Sequence, residues 1–156
     1  MRKLDALREF MLKSVAELGK HPDKLQVWTD DGKLTFKTLD PAPTHKNRYT
    51  ISVLVTEWSG PVEALTMPLL NFYKANHGEG DEGEIAFEAE IIDRDRVDVL
   101  FKLSMHDKVV GIIDDDGTVI VKPECSPESQ VPWFVEKPGQ YTLIWDGEEI
   151  AKWTTP

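Results

Sequence analysis

Residues 85–122, IAFEAEIIDRDRVDVLFKLSMHDKVVGIIDDDGTVIVK, decide the fold class of this chain. Apolar side chains fall at every second position through Ile85, Phe87, Ala89 and Ile91, and again through Val97, Val99, Phe101 and Leu103. That is the period of a strand with one face turned to a core. The DRDR stretch between them supplies a turn. A second pair, KVVGII and TVIV, flanks Asp114, Asp115, Asp116 and Gly117, residues that tolerate the backbone of a tight turn. Consecutive hairpins imply an antiparallel sheet.

Working upstream, Tyr49, Ile51, Val53 and Val55 alternate with Thr50, Ser52, Leu54 and Thr56, and Trp58 at the end of that run is read as a core residue. LQVW and KLTFK, separated by Asp30, Asp31 and Gly32, predict a further hairpin. Two segments switch to helical spacing. Leu4, Leu7, Met11, Val15 and Leu18 mark one continuous amphipathic helix over 3–18, stopped by Gly19 and Pro22. Val62, Leu65, Leu69, Phe72 and Tyr73 mark a second, with Pro68 inside it. An interior proline costs about 3 kcal/mol, so this helix is expected either to kink or to begin near Thr66 with Pro68 in its first turn.

Downstream, PECSPESQVPWFVEKPG is broken by prolines and should run extended over the surface. YTLIWDGEEIAKW then reads as two short strands around Asp146 and Gly147. The expected architecture is α+β: mainly an antiparallel β-sheet of hairpins with two helices packed on it, plus a C-terminal β-hairpin extension. The expected divisions are 1–122 for the main domain, 123–140 for a proline-rich connector and 141–156 for the terminal hairpin.

The 156 residues suffice for one core. No apolar run approaches the roughly 18 residues of a membrane span, and the MRKLDALREF start lacks the pattern of a signal peptide. Cys125 is the single cysteine, which excludes an internal disulfide and points to a cytoplasm rather than an oxidising compartment. A formal charge of -10 disfavours direct binding to nucleic acid. The acids concentrate in Glu79, Asp81, Glu82, Glu84, Glu88, Glu90, Asp93, Asp95 and Asp98, relieved only by Arg94 and Arg96. This run is either a solvated surface or a dock for a basic partner.

The sequence offers little for catalysis. No G-x-S-x-G turn is present, Cys125 has no local base, and His21, His45, His77 and His106 show no metal-ligand spacing. The contiguous acids at 114–116 lack the alternation of a calcium loop. GEGDEGE places acids where a phosphate cradle needs backbone donors and a lysine. Glu88 and Glu90 read as a solvent-facing stripe in preference to a glycosidase pair. No catalytic residue, cofactor or metal is assigned. Protein–protein contact remains, with the candidates Glu79, Asp81, Glu82 and Glu84 in the acidic turn and Trp133, Phe134, Trp145 and Trp153 in the aromatic C-terminal segment.

The order of local motifs resembles the tail completion protein R family of contractile-tailed phages. LDALREFMLKSV, HPDKLQVWTDDGKL, RYTISVLVTEWSG, MPLLNFYKANH, IAFEAEIIDRDRVDVLFKLSMHDKVV, the DDG turn and YTLIWDGEEIAKW follow one another as in that family. KTLDPAPTHKNRYT departs from the family pattern, keeping only Arg48 and Tyr49, and TEWSG replaces an aspartate-phenylalanine-glycine-like run. The resemblance implies a structural virion protein that completes or terminates the tail at the head-proximal end of the tail tube for head–tail joining. It implies tail-tube and head–tail connector partners, assembly in the host cytoplasm and residence in the virion tail. A more distant likeness to tail terminator-like proteins implies, by analogy of fold, a hexameric ring. The alternative function is a non-virion acidic adaptor or assembly chaperone for tail proteins.

Overall fold

A computed structural model describes residues 2–39, 41, 43–77, 83–113, 115–124, 139–145 and 148–155. The first helical stretch divides into α1 (Arg2–Ser14) and α2 (Ala16–Lys20), because Val15 takes an extended backbone with φ -107 and ψ 109. The continuous helix expected over 3–18 is therefore interrupted at a β-branched residue, a poor helix former. Leu7, Met11, Val15 and Leu18 are all fully buried across the break. Gly19 lies within α2 and does not stop it. A Cβ there would come within 2.9 Å of the Leu12 carbonyl oxygen, so glycine permits α2 to fold back on α1. The chain leaves α2 through a 3₁₀ turn over Pro22–Lys24.

Strand β1 runs unbroken over Leu25–Phe36 and pairs antiparallel with β2 (His45–Trp58) along its whole length. The hairpin expected at Asp30–Gly32 is instead a β-bulge. Asp30 faces Thr50 and Lys33 faces Arg48, so Asp31 and Gly32 together oppose Tyr49. Asp31 adopts a φ of 52, which aspartate tolerates, and Ser52 donates to Asp30 at 2.7 Å beside it. Turn chemistry and bulge chemistry use the same residues, and the length of β2 decides between them. A second bulge sets Thr56 and Glu57 against Asp98 and turns Trp58 into the core, 3% exposed, with its indole donating to the Pro61 carbonyl.

Helix α3 spans Glu63–His77, beginning ahead of the alternative start near Thr66, and Pro68 lies inside it. Its first turn is held by bonds from Ala64 to Pro61 and from Leu65 and Thr66 to Val62. Pro68 therefore deprives only the Ala64 carbonyl of its helical partner, while Leu65, Pro68 and Leu69 are buried. Strands β3 (Ile85–Ile91), β4 (Val97–Ile113) and β5 (Val119–Glu124) follow. The two strands expected in 97–113 are one strand of 17 residues. The Asp115–Gly117 turn closes β4 to β5, with Asp116 accepting from the Thr118 N–H and Gly117 at a φ of 82. Strands β6 (Gly139–Trp145) and β7 (Glu148–Thr155) form a separate two-stranded sheet, and β7 lies beside α1, α2 and α3.

The main sheet is antiparallel in the order β1-β2-β4-β3, with β5 also paired to β4. Val53 faces Phe101 and Ile51 faces Leu103, so the odd-numbered residues of β2 and β4 share one face. Those residues, Tyr49 to Val55 and Val99 to Met105, are buried with Leu7, Met11, Leu18, Leu65, Leu69 and Phe72 of the helices. Each fully buried large side chain contributes roughly 1.5–3 kcal/mol.

A polar clamp closes one end of this core. Lys3 Nζ donates to the carbonyls of Asn76 and His106 at 3.0 and 2.8 Å and pairs with Asp107 at 2.7 Å, joining α1 to the ends of α3 and the core part of β4. The Tyr49 hydroxyl donates to the other Asp107 oxygen at 2.7 Å. Burial, and then the bond to Asp107, raise the Tyr49 phenol well above its ordinary value. Burial alone would raise Asp107, but the bonds from Lys3 and Tyr49 outweigh it and hold the carboxyl below the usual range.

Two outcomes follow. Phe101→Ala removes the largest fully buried ring and should cost ~3–5 kcal/mol in urea unfolding. Asp107 is charged above its depressed pKa, so its contribution is present above the ordinary aspartate value and disappears as pH falls through the lower, folded value. Asp107→Asn should cost about 1 kcal/mol at neutral pH, a figure reduced for partial exposure. Its unfolding free energy should also fall less steeply than wild type between pH 5 and pH 2; parallel curves would show that the clamp does not titrate.

Candidate interaction surfaces

The sheet is longer than the helix layer that covers it. Pairing of β2 with β4 ends at His45 and Val109, while β4 continues to Ile113 and carries β5 with it. With the ends of β1 and β2 this makes an arm that projects past the core. Pro43 packs on Gly111 so closely that no side chain would fit there, and the Gly111 N–H donates to Thr44 Oγ1 at 3.1 Å. On the arm the core-side row continues as Leu34, Phe36, Ile113, Val119 and Val121, now exposed because none of the described helices reaches them. Leu34 and Phe36 are each 65% exposed.

The reverse face of the arm is basic. Lys33, Arg48 and His106 are direct neighbours across β1, β2 and β4, and Thr35, Lys46 and Lys108 form the next row. Like charges set opposite one another destabilise a sheet. Among the described residues no carboxylate lies within ion-pair distance of Lys33, Lys46 or Arg48. They line a shallow cleft of ≈ 520 Å³ with Asp31, Tyr49 and His106. This patch in a chain of charge -10 escaped the reading of the sequence. Its members lie far apart in the chain, and only the strand register assembles them.

At the opposite edge, the apolar face expected for β3 exists but is uncovered. Ile85 packs against the core, Phe87 is 61% and Ile91 77% exposed, and the Phe87 ring sits 6.2 Å from that of Phe101. Glu88 and Glu90 occupy the other face, and Glu88 meets Lys102 at 3.3 Å in an exposed pair. The following turn is built by Asp93, which accepts from the backbone of Asp95 and Arg96 and from the Arg96 guanidinium. The Arg96 side chain, more than its charge alone, holds the Asp93 carboxyl below its usual range, and Arg96 also reaches Glu57 at 2.9 Å.

Of the residues singled out from the sequence, Glu84 is exposed immediately before β3. It lines a polar cleft of ≈ 650 Å³ with Asp30, Thr50, Tyr73, Lys102 and Ser104. Burial raises the Tyr73 phenol, and the Glu84 backbone hydrogen-bonds to it. Glu79, Asp81, Glu82, Trp133 and Phe134 lie outside the described residues, as do Asp114 and Cys125. Trp145 and Trp153 are placed by their backbones on β6 and β7, facing Glu148 and Tyr141; their side chains lie outside the described set. Among the described residues no three His, Cys, Asp or Glu side chains are grouped to hold a metal ion, and no helix is long and apolar enough to cross a membrane. The geometry presents surfaces: an apolar and basic arm, and an apolar and acidic edge.

Comparison with known proteins bears on what such surfaces serve. No solved structure matches the chain. The Tail completion protein R of Escherichia phage P2 is 28% identical over 159 residues, covering 98% of this chain and 99% of that protein. The family model described as P2 phage tail completion protein R (GpR) matches residues 1–128, which include α1 to β5 and every surface described above. The chain belongs to the P2 phage tail completion protein R family.

Proposed function

We propose that this protein is a structural, non-enzymatic component that completes the phage tail during virion assembly. It acts at the head-proximal end of the tail tube and forms a ring there that prepares the tail to join the head. The family match over residues 1–128 carries this reading. The geometry supports it, since the described surface offers apolar and charged faces suited to protein contacts. In this reading the chain assembles in the host cytoplasm and is retained in the virion tail. The main domain over 1–122 joins copies together, the connector over 123–140 spaces them, and the hairpin over 141–156 meets another tail protein. The acidic turn at Glu79, Asp81, Glu82 and Glu84 faces a basic partner surface, and Trp133, Phe134, Trp145 and Trp153 supply aromatic anchors.

A second reading, an acidic adaptor or assembly chaperone absent from the finished particle, is favoured by the net charge of -10. Both readings meet one experiment. Phage made without this protein should yield tails of abnormal length or tails without heads by electron microscopy, restored by the wild-type gene in trans. Normal tails joined to heads would overturn both readings. Mass spectrometry of purified wild-type particles separates the two: a structural component is present, a chaperone is missing. Trp153→Ala should reduce the amount of protein retained on purified tails several-fold.

A further inference from the structure

The edge of β3 and the part of β1 past its bulge, from Lys33 onward, carry the same alternation of side chains with opposite charge. Strand β3 has a strand partner only in β4 among the described residues, and β1 only in β2. An exposed apolar edge invites a further strand unless a proline, a bulge or an inward charge blocks it. β3 has seven residues with no proline, glycine or bulge. Its core-side row exposes Phe87 and Ile91, and the matching row of β1 exposes Leu34 and Phe36. On the reverse face, β3 presents Glu88 and Glu90, whereas β1 past its bulge presents Lys33, with Lys37 just past the strand; Asp30 lies before the bulge and accepts from Ser52.

We propose that β3 of one copy pairs antiparallel with the outer edge of β1 in the next copy, extending the sheet from subunit to subunit. Side chains alternate with period two, so any register that matches the apolar rows also matches the charged rows. Setting Leu34 opposite Phe87 brings Phe36 to Ile85, Lys33 to Glu88 and Lys37 to Glu84. A slip by one residue would press Leu34 against a glutamate or leave both rows mismatched. The occupant is a second copy because both halves of the contact stand on this chain with complementary charge, despite the overall repulsion that a charge of -10 imposes. The Lys102–Glu88 pair is exposed and leaves Glu88 able to meet Lys33.

Through the ladder, Leu34 is level with Asp107 and Phe87 with Phe101, so successive copies are offset along the strand direction by six residues, about 20 Å. A sheet that closes on itself needs tilted, staggered strands, and this offset supplies a stagger. The contact joins two different surfaces and is therefore head-to-tail, the kind that gives a ring when the rotation between copies closes. This inference deepens the ring of the proposed function. Its test uses purified protein, so its failure would leave the microscopy of tails standing, and the reverse.

Light scattering of the full chain over a concentration series should show self-association. K33E/K37E and E84K/E88K should each weaken it about tenfold, about 1.4 kcal/mol, at physiological salt, with circular dichroism unchanged. An equimolar mixture of the two variants should recover it, because each reversed edge then meets its complement. In a Cys125→Ser background, Leu34→Cys and Phe87→Cys chains mixed under mild oxidation should give a cross-linked dimer containing one of each. A wild-type chain that stays monomeric at every concentration, variants that assemble as wild type, a mixture without recovery, or indiscriminate cross-linking would overturn the proposal. Any of these would leave the edges to a different tail protein.

Discussion

A strand advances about 3.3 Å per residue and a helix 1.5 Å, and the shape of this molecule depends on that mismatch. Strands β2 and β4 have 14 and 17 residues and extend roughly 46 and 56 Å. Helices α1 and α3 have 13 and 15 residues and extend only about 20 and 22 Å. Helices of this length cannot cover strands of that length. The part they do cover, from Tyr49 to Val55 and from Val99 to Met105, becomes the core. The remainder of the same sheet becomes the arm and the β3 edge.

The clamp of Lys3, Asp107 and Tyr49 stands at this boundary. It fixes the start of α1 and the end of α3 to β4 at Asp107, one turn of the ladder past the last core residue, Met105. On the core side of the clamp the odd-numbered residues of β2 and β4, from Tyr49 to Val55 and from Val99 to Met105, are buried. On the far side the same face of the sheet exposes Leu34, Phe36, Ile113 and Val121. Surface apolar residues collected in one place, backed by a basic face, favour contact with another protein over solvation. Membership in a tail completion family gives such surfaces an assembly in which to act.

Much of the fold was legible in local pattern. The alternation at Tyr49–Val55 and Val99–Leu103, the helical spacing through Leu7 and Met11, and the burial of Trp58 all express periods of two or 3.6 that any single segment reveals. Misreadings arose where one local signal serves two structures. Asp31 and Gly32 supply a positive φ and an unhindered backbone, which suit a hairpin turn and a bulge alike; the 14-residue β2 running alongside settles it as a bulge. Val15 carries the helical apolar period and is buried as that period requires, yet its backbone is extended. Phe87 and Ile91 have the spacing of a buried strand face, and exposure follows only from the place of β3 at the edge of the sheet.

By itself, the sequence determined the α+β class, the antiparallel pairing, the residues of the central core and, through its collinear motifs, the family. These rest on short-range periodicity and on the order of segments, both of which a linear chain displays directly. Only the tertiary structure decided which apolar rows stay exposed and that Lys33, Lys46 and Arg48 form one basic face. Burial and charge clustering depend on which strand lies beside which, and in what register. That pairing joins residues distant in the chain and is set by competition among all strands for the limited surface the helices can cover.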